Sequence, residues 1–90
     1  MNKLSQTTLE QLHSRALACV NALFLRIPFG TPPTDDWDQA REAIDALPLC
    51  TEVAATAHNR LNNARAYSDA DERGAARYEL RLLTKGLKNR

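Results

Sequence analysis

The sequence predicts an all-α protein, a compact antiparallel bundle of three to four amphipathic helices forming one domain over residues 1–90. Three observations predict it. Apolar residues recur three and four apart through four segments, the spacing that puts them on one face of a helix. Proline, glycine and short polar residues cluster between those segments, where a helix cannot continue. No segment alternates apolar and polar residues as a half-buried strand does. The spacing sets the helices at about 7–27, 35–47, 50–67 and 70–85, with a proline-rich connection at 28–34.

In the first segment Thr7-Thr8-Leu9-Glu10 fits a capping box, in which threonine and glutamate side chains satisfy unpaired backbone donors. Leu9, Leu12, Ala16, Cys19, Val20, Leu23, Phe24 and Ile27 then share one broad face, with Gln11, Ser14, Arg15 and Asn21 opposite. An apolar arc this wide contacts two neighbours, which makes the first helix the central one. Pro28 ends it, and Pro28-Phe29-Gly30-Thr31-Pro32-Pro33 reads as a stiff connection.

The second helix opens at Thr34, with Asp35 and Asp36 complementing the positive end of its dipole. Trp37, Ala40, Ile44 and Leu47 form its apolar stripe, and Asp38, Glu42 and Asp45 the opposite face. The lone tryptophan is expected to anchor the core. Pro48 ends this helix or starts the next.

The third helix has a narrow inward face of Val53, Ala54, Ala57, Leu61 and Ala64, small enough to let another helix come close. His58, Asn59, Asn62 and Asn63 make a polar, weakly charged remainder suited to solvent or to a partner. Ser68-Asp69-Ala70-Asp71 is expected to break the chain, with Ser68 or Asp69 capping the fourth helix; one continuous helix is the alternative. Lys85-Gly86-Leu87 matches a Schellman stop, glycine being left-handed and leucine folding back, so that Lys88, Asn89 and Arg90 trail.

Ninety residues leave room for a single core. The apolar fraction of 43% and charged fraction of 26% are those of a folded chain, which argues against global disorder. The opening Met1-Asn2-Lys3-Leu4-Ser5-Gln6 turns polar at once and lacks a signal-peptide core. The apolar stretch 16–27 carries Asn21 and Arg26 and is too short to span a bilayer. A cytoplasmic protein without membrane association is expected. Cys19 and Cys50 fall at apolar positions and read as two buried hydrophobes, with no disulfide required.

Catalytic chemistry finds little support. His13 and His58 have no local partner of the kind that a nucleophile and its base would need. The two cysteines and two histidines lack the paired spacings of a zinc site. Gly30, Gly74 and Gly86 are too scattered for a phosphate loop. The expectation is a non-enzymatic protein with no cofactor and no metal.

Charge is more informative. The formal net charge of +1 conceals two opposed regions. Asp35, Asp36, Asp38, Glu42, Asp45 and Glu52 stand against Arg41 alone, whereas Arg73, Arg77, Arg81, Lys85, Lys88 and Arg90 stand against Glu79 alone. Arg73, Arg77, Arg81 and Lys85 follow one another at about 6 Å along a helix axis. Like charges at that spacing weaken an isolated helix by a few tenths of a kcal/mol per pair. Solvent and the helix dipole, the acidic second helix of the same or another chain, or an external anion must offset the repulsion.

This basic row is the candidate macromolecule-binding site. Beside it Glu79 falls within the apolar arc of Ala76, Tyr78, Leu80 and Leu82 and requires an arginine, from Arg15 or from another chain. Glu79, Tyr78, Leu82, Asn59 and Asn62 are therefore the possible interface residues. A helix-turn-helix through the second and third helices has the wrong charge for phosphate. No aromatic interleaves the arginines of the fourth helix to stack bases. The sequence thus points to an adaptor, inhibitor or regulator that binds a protein partner through the first and fourth helices, as a homodimer. The alternative is a nucleic-acid-binding accessory protein using the basic face.

Overall fold

The computed structural model describes residues 2–88, with side chains described for 8–88. Four helices are present: α1 (Asn2–Arg26), α2 (Thr34–Asp45), α3 (Thr51–Asp69) and α4 (Arg73–Lys88), with a 3₁₀ turn at Ile27–Phe29. Each helix packs on the next and α4 closes back on α1, so α2 and α4 occupy opposite corners of the bundle. Among the described residues there is no strand, and no helix is long and apolar enough to cross a membrane.

α1 begins upstream of the expected start. No proline or glycine precedes Pro28, so helix propagates through 2–26 and the Thr7–Glu10 box lies inside it rather than at its end. At about 1.5 Å per residue α1 is roughly 37 Å long, against roughly 18 Å for α2. Its N-terminal end therefore outruns the bundle. Leu9, expected in the core, is 50% exposed for this reason, whereas Ala16, Val20, Leu23 and Ile27 are fully buried. After Pro28, Gly30 takes φ 149°, a conformation that side chains disfavour, and turns the chain toward α2.

Pro33 occupies the position before α2 and makes no side-chain cap, so Thr34 is the first helical residue. α2 stops two residues before the expected end because Leu47 precedes Pro48, whose ring pushes it out of the helical region. Trp37, Ala40, Ile44 and Leu47 are buried as the stripe required, and Ala43 joins them. In α3, Ala57, Leu61 and Ala64 are buried and Val53 and Ala54 half-buried. Cys50, expected inside, is exposed at the position preceding α3, where the chain is still extended. Cys19 is half-buried, and both thiols are free.

α3 and α4 are separate helices. Ser68 lies buried in the last turn of α3 and Asp69 ends it, so neither caps α4. Asp71 adopts φ 61°. Its N–H donates to the Ser68 carbonyl at 3.0 Å, and the Glu72 N–H donates to that of Tyr67 at 2.8 Å. That pair of bonds is a Schellman motif with aspartate in the left-handed place. The expected motif at Gly86 does not form: α4 continues through Lys88, and Gly30 is the one described glycine at positive φ. Continuing the helix buries Leu87 at 1% exposure. It also presents the Leu87 carbonyl to His13 Nε2 at 2.7 Å, so α1 satisfies an unpaired carbonyl at the end of α4. Lys88 is helical; Asn89 and Arg90 lie outside the described residues.

Candidate functional site

The basic row runs along the seam between α4 and α1. Arg73 donates from Nε to Asp71 at 3.1 Å and from a terminal nitrogen to the Pro28 carbonyl at 3.0 Å. The Arg77 guanidinium lies 4.3 Å from the centre of the Phe24 ring, and that of Arg81 5.8 Å from the same ring. Such cation–π contacts contribute on the order of 0.5–1 kcal/mol each at exposed sites, enough to offset the repulsion within the row. Arg81, Lys85 and Lys88 are exposed, and Arg77 is half-buried with its Nε enclosed and unpartnered. Asn21, Phe24, Arg81, Thr84, Lys85 and Lys88 line a shallow groove of about 360 Å³.

Two expectations change here. The row does not meet α2 within the chain, because α2 stands at the opposite corner. An aromatic does interleave the arginines: Phe24, delivered from α1 by the axial register of the two helices.

Of the α2 carboxylates, Asp36 pairs with Arg26 at 3.7 Å and Asp45 with His58 at 2.7 Å. Asp35, Asp38 and Glu42 are exposed and have no cationic partner among the described residues.

Glu79 belongs to a different seam. It is 7% exposed between α3 and α4. Arg60 donates to one carboxylate oxygen at 2.9 Å and Asn63 to the other at 3.1 Å. Its arginine is thus Arg60 of the same chain, not Arg15 and not a residue of another copy. Arg60 and Asn63 are three apart on one face of α3, a spacing that could have marked them as a pair of donors. Asn62 accepts from Arg41 at 2.6 Å and so bridges α3 to α2, while Asn59 is exposed. Tyr78, 60% exposed, and half-buried Leu82 lie one turn apart on the outer side of α4. The five possible interface residues therefore divide among three surfaces, with Glu79 internal.

His58 meets Asp45 through Nε2 at 2.7 Å, and its Nδ1 is buried without a hydrogen-bond partner. Among the described residues no three His, Cys, Asp or Glu side chains gather as a metal site would require. Leu9, Glu10, His13, Leu47, Pro48 and Leu49 line a second groove of about 310 Å³ at the other end of α1. Fold and site together define a small all-α bundle with one cationic, aromatic-floored seam. No protein-family model matches the chain, no curated protein matches it, and no solved structure matches it.

Proposed function

We propose that this protein acts without catalysis, in the cytoplasm, as an adaptor, inhibitor or regulator that binds an acidic protein surface through the α1–α4 seam. The supporting observation is the cluster of Arg77, Arg81, Lys85 and Lys88, none of which pairs with a carboxylate among the described residues. Their alkyl stems and the Phe24 ring add apolar area to that charge, the mixture that suits a protein surface. Self-association belongs to the same reading, since so short a chain buries a small core.

The test is affinity capture from the native host with and without nuclease, followed by rebinding of the purified captured protein. A partner that survives nuclease, rebinds, and is lost with Arg81→Glu/Lys85→Glu supports the reading. Capture abolished by nuclease, or indifferent to charge reversal, overturns it. Phe24 between Arg77 and Arg81 favours a second reading, a single strand of nucleic acid with a base stacked on the ring. Contact with about six phosphates would give a log–log salt slope of about −4. No binding of an oligonucleotide at low salt removes that alternative.

A further inference from the structure

The two helices that wall the basic seam run side by side in opposite directions: His13 meets Leu87, Phe24 meets Arg77, and the Pro28 carbonyl meets Arg73. Between them, the groove of about 360 Å³ at Phe24 and Arg81 adjoins another of about 340 Å³ at Leu17 and Ala18. Asn21, Thr84 and Lys88 border both, so the two form one valley. Leu17, Asn21 and Phe24 stand on its α1 wall at positions i, i+4 and i+7. Arg77, Arg81, Thr84 and Lys88 stand on its α4 wall at i, i+4, i+7 and i+11. Alternating steps of four and three average about 3.5 residues, which keeps a row nearly straight along a helix. The valley is therefore straight, and about 16 Å long from Arg77 to Lys88, or roughly three helical turns.

Its charge has one sign. α1 carries a single carboxylate, Glu10, which lines the separate groove beside Leu47 and Pro48. α4 carries only Glu79, held by Arg60 and Asn63 on the α3 side. Arg77, Arg81, Lys85 and Lys88 thus meet no acid from either wall, while half-buried Leu17 and Phe24 give the valley an apolar floor. A complementary occupant brings carboxylates to the α4 side and apolar side chains to the floor. It must also satisfy its own backbone, because main-chain groups inside the two flanking helices are already paired. An extended segment would leave N–H and C=O groups unpaired over Leu17 and Phe24, and a helix would not.

We propose that the occupant is an amphipathic α-helix of a partner protein, about three to four turns long, lying in the valley along α4. Its carboxylates repeat at i, i+4 and i+8 along one edge, with small or aliphatic residues on the adjoining edge. Carboxylates so spaced rise about 6 Å per step, the same step as Arg77, Arg81 and Lys85, so one register pairs the whole row. This occupant rests on the reading of the basic seam as an acceptor of acidic protein surface, and narrows that surface to a helix.

The test is titration of the full chain with four synthetic peptides of about 18 residues, followed by fluorescence anisotropy. The first is an alanine-based helix with glutamate at i, i+4 and i+8 and leucine at i+3 and i+7. The second scatters the glutamates around the helix, the third has proline at its centre, and the fourth has glutamine for glutamate. At about 50 mM salt the first should bind with a Kd below about 100 µM, and the others at least about tenfold more weakly. Arg81→Glu/Lys85→Glu should abolish binding. Asn21→Trp, at an exposed position, fills the valley without changing charge and should weaken binding about tenfold or more. Asn59→Trp, exposed on α3, should leave it unchanged, and both variants should keep the helical circular dichroism of wild type.

Scattered or proline peptides that bind as tightly as the first overturn the helix but leave the acidic-surface reading in place. Unchanged binding by Asn21→Trp does the same. Self-association of the wild-type chain that Asn21→Trp abolishes would give the valley to a second copy. A single-stranded oligonucleotide that binds more tightly than the first peptide at equal salt would give it to nucleic acid. Either result overturns the proposal. If no peptide binds at about 1 mM, the helix is wrong. If capture from the host is also indifferent to Arg81→Glu/Lys85→Glu, the reading of the basic seam fails with it.

Discussion

The two flanks of α4 carry charge under opposite conditions. Toward α3, Glu79 is almost enclosed, and both carboxylate oxygens are engaged by donors. Toward α1, Arg81 and Lys85 stay in water with no carboxylate among the described residues to meet them. Burying an ionised carboxylate without donors costs several kcal/mol, so folding must supply partners on the first flank. An exposed cation incurs no such cost, so folding does not require a partner on the second flank. One helix thus carries a carboxylate that folding must pair and cations that it leaves in water, and burial draws the line.

Leu80, fully buried between those flanks, provides the largest test. Leu80→Ala should cost about 3–4 kcal/mol in urea unfolding; a loss under about 1 kcal/mol would mean the flanks do not share a packed base. Next in size is Arg60→Ala, expected to cost about 2–3 kcal/mol by leaving Glu79 enclosed with only Asn63, a figure discounted because the Arg60 side chain is 39% exposed. Glu79→Leu, which removes the buried charge itself, should cost under about 1 kcal/mol. Equal losses in the two variants would contradict the asymmetry.

Asp71→Gly should stabilise by about 0.5–1 kcal/mol, seen as a rise in the thermal midpoint, because glycine enters the left-handed region freely. Asp71→Val should do the reverse. The smallest effects belong to the open flank: Arg81→Ala and Lys85→Ala should each stay within about 0.5 kcal/mol of wild type. A larger loss would show that the basic row is part of the fold.

Much of this architecture was legible in the sequence. The Trp37, Ala40, Ile44 and Leu47 stripe is buried as its spacing requires, and each helix lies where the apolar spacing put it, with ends displaced by up to five residues. What escaped depends on how one helix is rotated and raised against another, which periodicity within a segment does not encode. Arg60 reaches Glu79 across a separation of 19 residues, and only the pairing of α3 with α4 selects it over Arg15. Phe24 meets Arg77 and Arg81 because His13 and Leu87 fix the height of α1 against α4.

The turn signals failed for a related reason. Glycine is the usual left-handed residue, yet burial of Leu87 keeps the helix going past Gly86, while Asp71 accepts the strained position. Cys50 is apolar by spacing but precedes α3 in extended backbone, where helical periodicity says nothing about facing.

The turn at Asp71 also bears on the order of folding. It joins α3 and α4 through residues 70–72, and these two helices share the most extensive helix–helix contact in the bundle. Closing so short a loop costs little chain entropy, whereas α1 meets α4 only after most of the chain has been brought round. The α3–α4 hairpin should therefore be structured in the transition state and α1 dock after it. In stopped-flow measurements, Leu61→Ala and Leu83→Ala should slow folding, while Val20→Ala should mainly speed unfolding. The α1–α4 seam, proposed above as the binding surface, would then be the last part of the molecule assembled.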